Sequence, residues 1–232
     1  RPFLQYVAFT APHWPLHARQ ETIDKYVDVY TDGWDTMRPA KYERMKAMGI
    51  IEHHWDLSER GDGIPDWASL PPDKKAESAH RMAVYSAQVD EMDQGIGVVV
   101  SALKETGQFD NTLILFMSDN GGCAEEIHRG GCEDWREIGQ QHTYESYGKP
   151  WANYSNTPFR EYKHWVHEGG IATPLIAHWP LGITHPGRID HQPGHLIDIM
   201  ATCVELSGAT YPPPDSEGIH ALPGCSLTPS FR

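Results

Sequence analysis

An α/β domain is the fold class the sequence predicts, on three observations. Apolar side chains recur at Met82, Tyr85, Val89, Met92, Ile96, Val99 and Leu103, alternating steps of three and four residues along one helical face. Thr112-Leu-Ile-Leu-Phe-Met117 is an unbroken apolar run, the pattern of a strand buried on both faces of a parallel sheet. A chain of 232 residues is long enough to bury a sizeable core.

Taken in order, Phe3 to Phe9 is a short apolar run, read as a buried strand that delivers the polar loop Thr10-Ala-Pro-His-Trp-Pro15. Residues 20 to 80 hold short amphipathic pieces such as Glu43 to Ile50, broken by Gly61-Asp-Gly-Ile-Pro65 and Pro71-Pro72, and read as irregular helices and loops. The long helix spans Lys75 to Thr106 and ends at Gly107. The strand after it delivers Ser118-Asp-Asn-Gly-Gly122 at its C-terminal end, where ligand sites of open α/β sheets gather. Residues 123 to 160, rich in Gly, Tyr and Trp without period, read as a long loop bordering a site. Pro174 to Trp179 reads as another strand, and His195 to Leu206 as a helix with Leu196, Ile199, Met200 and Cys203 inward and Gly208 past its end. The tail after Tyr211 is Pro-rich and loop-like.

Composition excludes several classes of partner. A formal net charge of -13 with no basic run leaves no positive footprint for nucleic acid or an anionic membrane. No window approaches the roughly 18 consecutive apolar residues of a membrane span. The four cysteines are too few for a disulfide scaffold. Cys123, His128 and Cys132 lack a fourth zinc ligand, so that segment reads as a loop or a disulfide.

Three places can carry chemistry. Asp119 and Asn120 offer adjacent oxygens at a strand end, suited to a hard cation such as Ca²⁺ or Mg²⁺, and the two following glycines let backbone approach closely; a plain turn is the competing reading. Two ligands leave most of the roughly six to eight oxygen positions of calcium to be filled from elsewhere. His13 sits between Pro12 and Pro15, which restrict the loop and can hold an imidazole toward a substrate as acid or donor. Lys163, five residues before Glu168-Gly-Gly-Ile171, can neutralise an anionic ester or protonate a leaving group; alone it reads as a surface lysine.

In series, Phe9-Thr-Ala-Pro-His-Trp-Pro-Leu-His-Ala18, Met92-Asp93 with Ile96-Gly97, Asp110-Asn-Thr with Ser118-Asp-Asn-Gly-Gly122, and Lys163 with Glu168-Gly-Gly-Ile-Ala-Thr-Pro174 resemble the type I, formylglycine-dependent sulfatases. The order and intervals carry the likeness, over nearly the whole chain. The resemblance implies an alkaline-phosphatase-like α/β sandwich with a mixed, largely parallel sheet flanked by helices. It assigns residues 1–210 to the C-terminal half of a catalytic domain and 211–232 to a Pro-rich lead into a further subdomain. It implies that Asp119 and Asn120 match two calcium ligands, that His13 matches the His that touches the sulfate and leaving group, and that Lys163 matches the active-site Lys. It also implies a substrate that is a small-molecule or carbohydrate sulfate ester, and a periplasmic or secreted location over a cytoplasmic one.

The chain departs from the pattern in two respects. None of the four cysteines lies in C-x-P-x-R or C-x-A-x-R, so formylglycine is expected from a Cys or Ser upstream of Arg1, and residues 1–232 alone are expected to be inactive. Ala172 stands where the family's Glu-Gly-Gly-Ile pattern continues with Arg. Two further readings stand beside the sulfatase: a phosphodiesterase or phosphonate monoester hydrolase of the same superfamily, and a non-catalytic relative that serves as a binding module.

Overall fold

The computed structural model describes residues 2–130, 132–213 and 218–232; positions 214–217 of the Pro-rich tail lie outside the described residues. The described elements are α1 (Gln20–Ile23), α2 (Gly33–Ala47), α3 (Pro72–Glu105), β1 (Ile114–Met117), α4 (Gly148–Ser155), α5 (Glu168–Ile171), β2 (Leu175–His178) and α6 (Leu196–Ser207), with three 3-10 turns between them and a fourth after α6. Two compact units result, one of residues 1–102 and 120–173, the other of 103–119 and 174–232.

The first unit is built round Trp151 of α4, whose side chain is fully buried. Trp34 of α2, Trp67 and Tyr30 meet its ring edge-on at 5.5, 6.1 and 5.4 Å between centroids. This geometry suits aromatic quadrupoles better than face-to-face stacking. α3 supplies Ala79, Met82, Ala83, Val84 and Ala87 to the same core. Arg38 of α2 is buried beside it. Its guanidinium donates to the carbonyls of Asn153, Ser58 and Pro158 and to Ser58 Oγ, so each of its three nitrogens finds an oxygen.

α3 forms as its spacing predicts, with Gly107 at φ 67° just beyond it. Of its apolar stripe Met82 is buried, while Val89 and Val99 are exposed. Residues 123 to 160 are not loop throughout, because α4 forms where Trp151 and Ala152 enter the core. Burial there overrides a composition poor in helix formers.

In the second unit β1 and β2 pair antiparallel, with Ile114 opposite His178 and Met117 opposite Leu175. Phe116, Leu175 and Ile176 remain exposed. The expected burial on both faces is therefore not met by the two strands described. Phe3 to Phe9 forms no strand among the described residues, and Phe3, Leu4, Tyr6, Val7 and Phe9 are exposed. A strand needs ladder partners for its backbone groups, and none is found for this segment.

α6 opens on a capping box: Ile197 N–H donates to His195 Nδ1, and His195 N–H donates to the Asp198 carboxylate. It ends at Gly208, φ 67°. The expected inward face packs only in part: Ile199 and Cys203 are half-buried, whereas Leu196 and Met200 are exposed. Its contacts run along the polar face, where Cys225 N–H donates to Asp198, Leu227 N–H to Thr202 Oγ1, and Thr228 Oγ1 to Glu205. All four cysteines are free, so the disulfide reading of Cys123 and Cys132 falls. Among the described residues no helix is long and apolar enough to cross a membrane.

Candidate active site

The loop carrying His13 is fixed from two sides. From α3, Gln88 donates its amide to the carbonyls of His13 and Pro15 at 3.3 and 3.2 Å. From the 138–146 segment, Glu145 C=O accepts from Leu16 N–H at 3.0 Å, and Leu16 itself is fully buried. His13 N–H closes a turn onto Thr10 C=O. The peptide bonds before Pro12 and Pro15 are both cis. This anchoring leaves the His13 ring exposed while its backbone is held.

Lys163 is delivered by a second set of backbone contacts. Its N–H donates to Gly122 C=O at 3.1 Å, and Asn156 joins the two segments, accepting from Gly122 N–H through Oδ1 and donating to Glu161 C=O through Nδ2. Gly121 N–H donates to Gly170 C=O, and a Cβ on Gly121 would lie 1.7 Å from the Gly169 carbonyl oxygen. The Gly-Gly pairs 121–122 and 169–170 are thus where two chain segments touch backbone to backbone, as expected from the glycines after Asn120.

These supports bring His13 and Lys163 together: Nζ of Lys163 lies 3.0 Å from Nε2 of His13. Lys163 is mostly buried, with its side chain 16% exposed. Beside the pair stands Glu125, which sequence reasoning missed. Its Oε2 accepts from Trp14 Nε1 at 2.7 Å and from the Cys123 thiol at 3.0 Å, and lies 3.6 Å from Lys163 Nζ. Its Oε1 is 3.4 Å from His164 Nε2. The hydrogen bond from the Cys123 thiol first, then that from Trp14, hold the Glu125 carboxyl down to about 2, with the charge of Lys163 adding to them. Burial pushes the Cys123 thiol up, so it keeps the proton it donates.

Asp119 and Asn120 sit two and three residues beyond β1; Asp119 is exposed and Asn120 is half-buried. Asn120 donates Nδ2 to Gly121 C=O at 2.9 Å, which leaves Oδ1 as its ligating end. A carboxylate and an amide oxygen fit a hard cation and would supply two of its roughly six to eight positions. His13, Cys123 and Glu125 also present ligand atoms within 4.8 Å of one another. That mixed nitrogen, sulfur and oxygen set does not suit a hard cation, and the ammonium of Lys163 already lies against two of its members.

The sulfatase family model matches residues 1–209. An arylsulfatase of Klebsiella aerogenes is 33% identical over 223 residues, covering 90% of this chain and 47% of that protein. An uncharacterised sulfatase of Schizosaccharomyces pombe is 33% identical over 222 residues, covering 90% of this chain and 40% of that protein. The chain thus spans less than half the length of these two relatives. Among solved structures, that of Ps i-CgsB superposes with a TM-score of 0.53 at 25% identity, covering 97% of this chain and 32% of that one.

Proposed function

From the premise that the chain belongs to the sulfatase family, of the alkaline-phosphatase-like superfamily, we propose that it supplies the His13–Lys163 part of the active site of a sulfate ester hydrolase. The single observation that carries this reading is the 3.0 Å contact between Lys163 Nζ and His13 Nε2, in a chain whose family match covers both residues.

The ammonium of Lys163 offsets negative charge on the sulfuryl oxygens, and does so more strongly because most of its side chain is out of water. Its proton, shared with His13 Nε2, is the one available to the departing alcohol or phenol oxygen, which must gain a proton as the S–O bond breaks. The restrained His13 loop keeps the imidazole in place while its ring stays open to a substrate. Asp119 and Asn120 are the proposed protein ligands of a divalent cation. In this family formylglycine supplies the attacking oxygen and the cation offsets charge on the sulfuryl group. The substrate class proposed is a sulfate monoester of a small alcohol, phenol or sugar.

A panel of esters assayed on the full-length protein tests this reading. Hydrolysis of an aryl or sugar sulfate in preference to phosphonate monoesters and phosphodiesters is expected. Preference for the phosphoryl esters would transfer the site to the second enzymatic reading, and absence of turnover on every ester would leave a binding module.

A further inference from the structure

The Lys163–His13 contact is one side of a ring of three hydrogen bonds that an ion pair between Glu125 and Lys163 closes. An ammonium has donors only, so in its contact with Lys163 the Nε2 of His13 is the acceptor. Nδ1 of a neutral imidazole then carries the hydrogen, and Nδ1 lies 2.8 Å from the carbonyl oxygen of Trp14, which can only accept. Trp14 is held at its other end as well, because its indole N–H donates to Glu125 Oε2 at 2.7 Å. Glu125 Oε2 returns to Lys163 at 3.6 Å. Every donor in the circuit His13, Trp14, Glu125, Lys163 meets an acceptor, and reversing the His13 tautomer would set an N–H against an ammonium and a bare nitrogen against a carbonyl.

We propose that Glu125 is a positioning residue: it holds the ammonium of Lys163 against His13 Nε2 and so fixes His13 as its Nδ1–H tautomer. What the pair then does for a sulfate ester rests on the function proposed above; how the pair is held does not. Two facts favour this role over a structural one. A partly exposed ion pair adds little to folding, and the Glu125 side chain is 36% exposed, so the carboxylate is poorly placed to act as a stabilising element. It is nonetheless the point where Trp14, Cys123, His164 and Lys163 converge, two of them flanking the candidate catalytic residues directly in sequence. Its low pKa keeps it ionised, and hence an acceptor only, throughout the range in which an ester could be turned over.

The test is ¹⁵N NMR of the imidazole nitrogens in the full-length protein labelled at histidine, with the His13 signals identified by their loss in His13→Gln, and steady-state kinetics on an aryl sulfate in parallel. In the wild type the Nδ1 signal of His13 is expected at the position of an N–H nitrogen and Nε2 at that of a bare acceptor. In Glu125→Gln the two signals should move toward each other as the tautomers mix, with kcat down about 10- to 100-fold, the range usual for loss of a supporting partner, and KM little changed. Trp14→Phe, which keeps the carboxylate but removes its 2.7 Å anchor, should give the same change to a smaller degree and serves if Glu125→Gln does not fold. A His13 spectrum identical to wild type in the folded variant, or in Trp14→Phe alone should only that one fold, overturns the proposal. A wild type with no activity on sulfate esters would count against the proposed function alone, because the spectra still decide the role of Glu125.

Discussion

Lys163 Nζ meets His13 Nε2 at 3.0 Å across 150 residues of sequence. Neither side chain is informative alone: one is a histidine among 14, the other a lysine in a loop. Their meeting converts two weak local signals into one hydrogen-bonded pair.

Removal of the Asp119 carboxylate is expected to remove metal. Asp119→Ala in the full-length protein should bind substoichiometric calcium by elemental analysis and lose most activity, with little rescue by excess Ca²⁺, because a hard cation loses a charged ligand that water replaces poorly. Unchanged metal content would withdraw the assignment.

Gly121 is placed where no side chain fits. A Cβ there would meet the Gly169 carbonyl oxygen at 1.7 Å, and backbone cannot turn aside as a side chain can. Gly121→Ala should destabilise the protein by about 1–3 kcal/mol or more in urea unfolding, the usual cost of overpacking, and should lower activity because the next residue, Gly122, accepts from Lys163 N–H. Equal stability would mean the two Gly-Gly segments do not touch.

Lys41 links folding to alkaline pH. Burial first, then the charges of Arg44 and Arg38, lower its pKa from the ordinary 10.5 to about 8, and its ammonium donates to the carbonyls of Tyr154 and Ser155. Between these values the unfolded chain binds more protons than the folded one, so this group makes stability rise with pH, by up to about 1.4 kcal/mol per unit. The rise should be seen from pH 8 to 10 in unfolding titrations and vanish in Lys41→Met. Above pH 10 the sign reverses, since burial holds Tyr85 and Tyr162 up to about 12. The same slope in Lys41→Met would rule out this origin.

What the sequence revealed and what it hid divide along the range of the interactions. α3, with Gly107 beyond it, and α6, ended by Gly208, were legible because apolar period and a left-handed glycine are local signals. The close approach at Gly121 was legible for the same reason. Glu125, Asn156 and Gln88 were not, because each acts on a segment distant in sequence and carries no pattern of its own. Trp14 stood in the recognised motif, yet its role as the link between His13 and Glu125 appears only when residues 111 apart in sequence are brought together. Apolar period marks the packed side of α6 only in part, since Leu196 and Met200 stay exposed while Asp198, Thr202 and Glu205 bind the returning chain. For Phe3 to Phe9, β propensity was present but no ladder partner stands among the described residues.

The most direct test of the account is a double-mutant cycle on kcat/KM for an aryl sulfate in the full-length protein, using His13→Asn, Lys163→Ala and the two combined. If the pair acts as one unit, each single change should cost roughly 10²–10⁴-fold and the double change little more than the larger single loss. Losses that multiply, or a single variant at the wild-type rate, would contradict it.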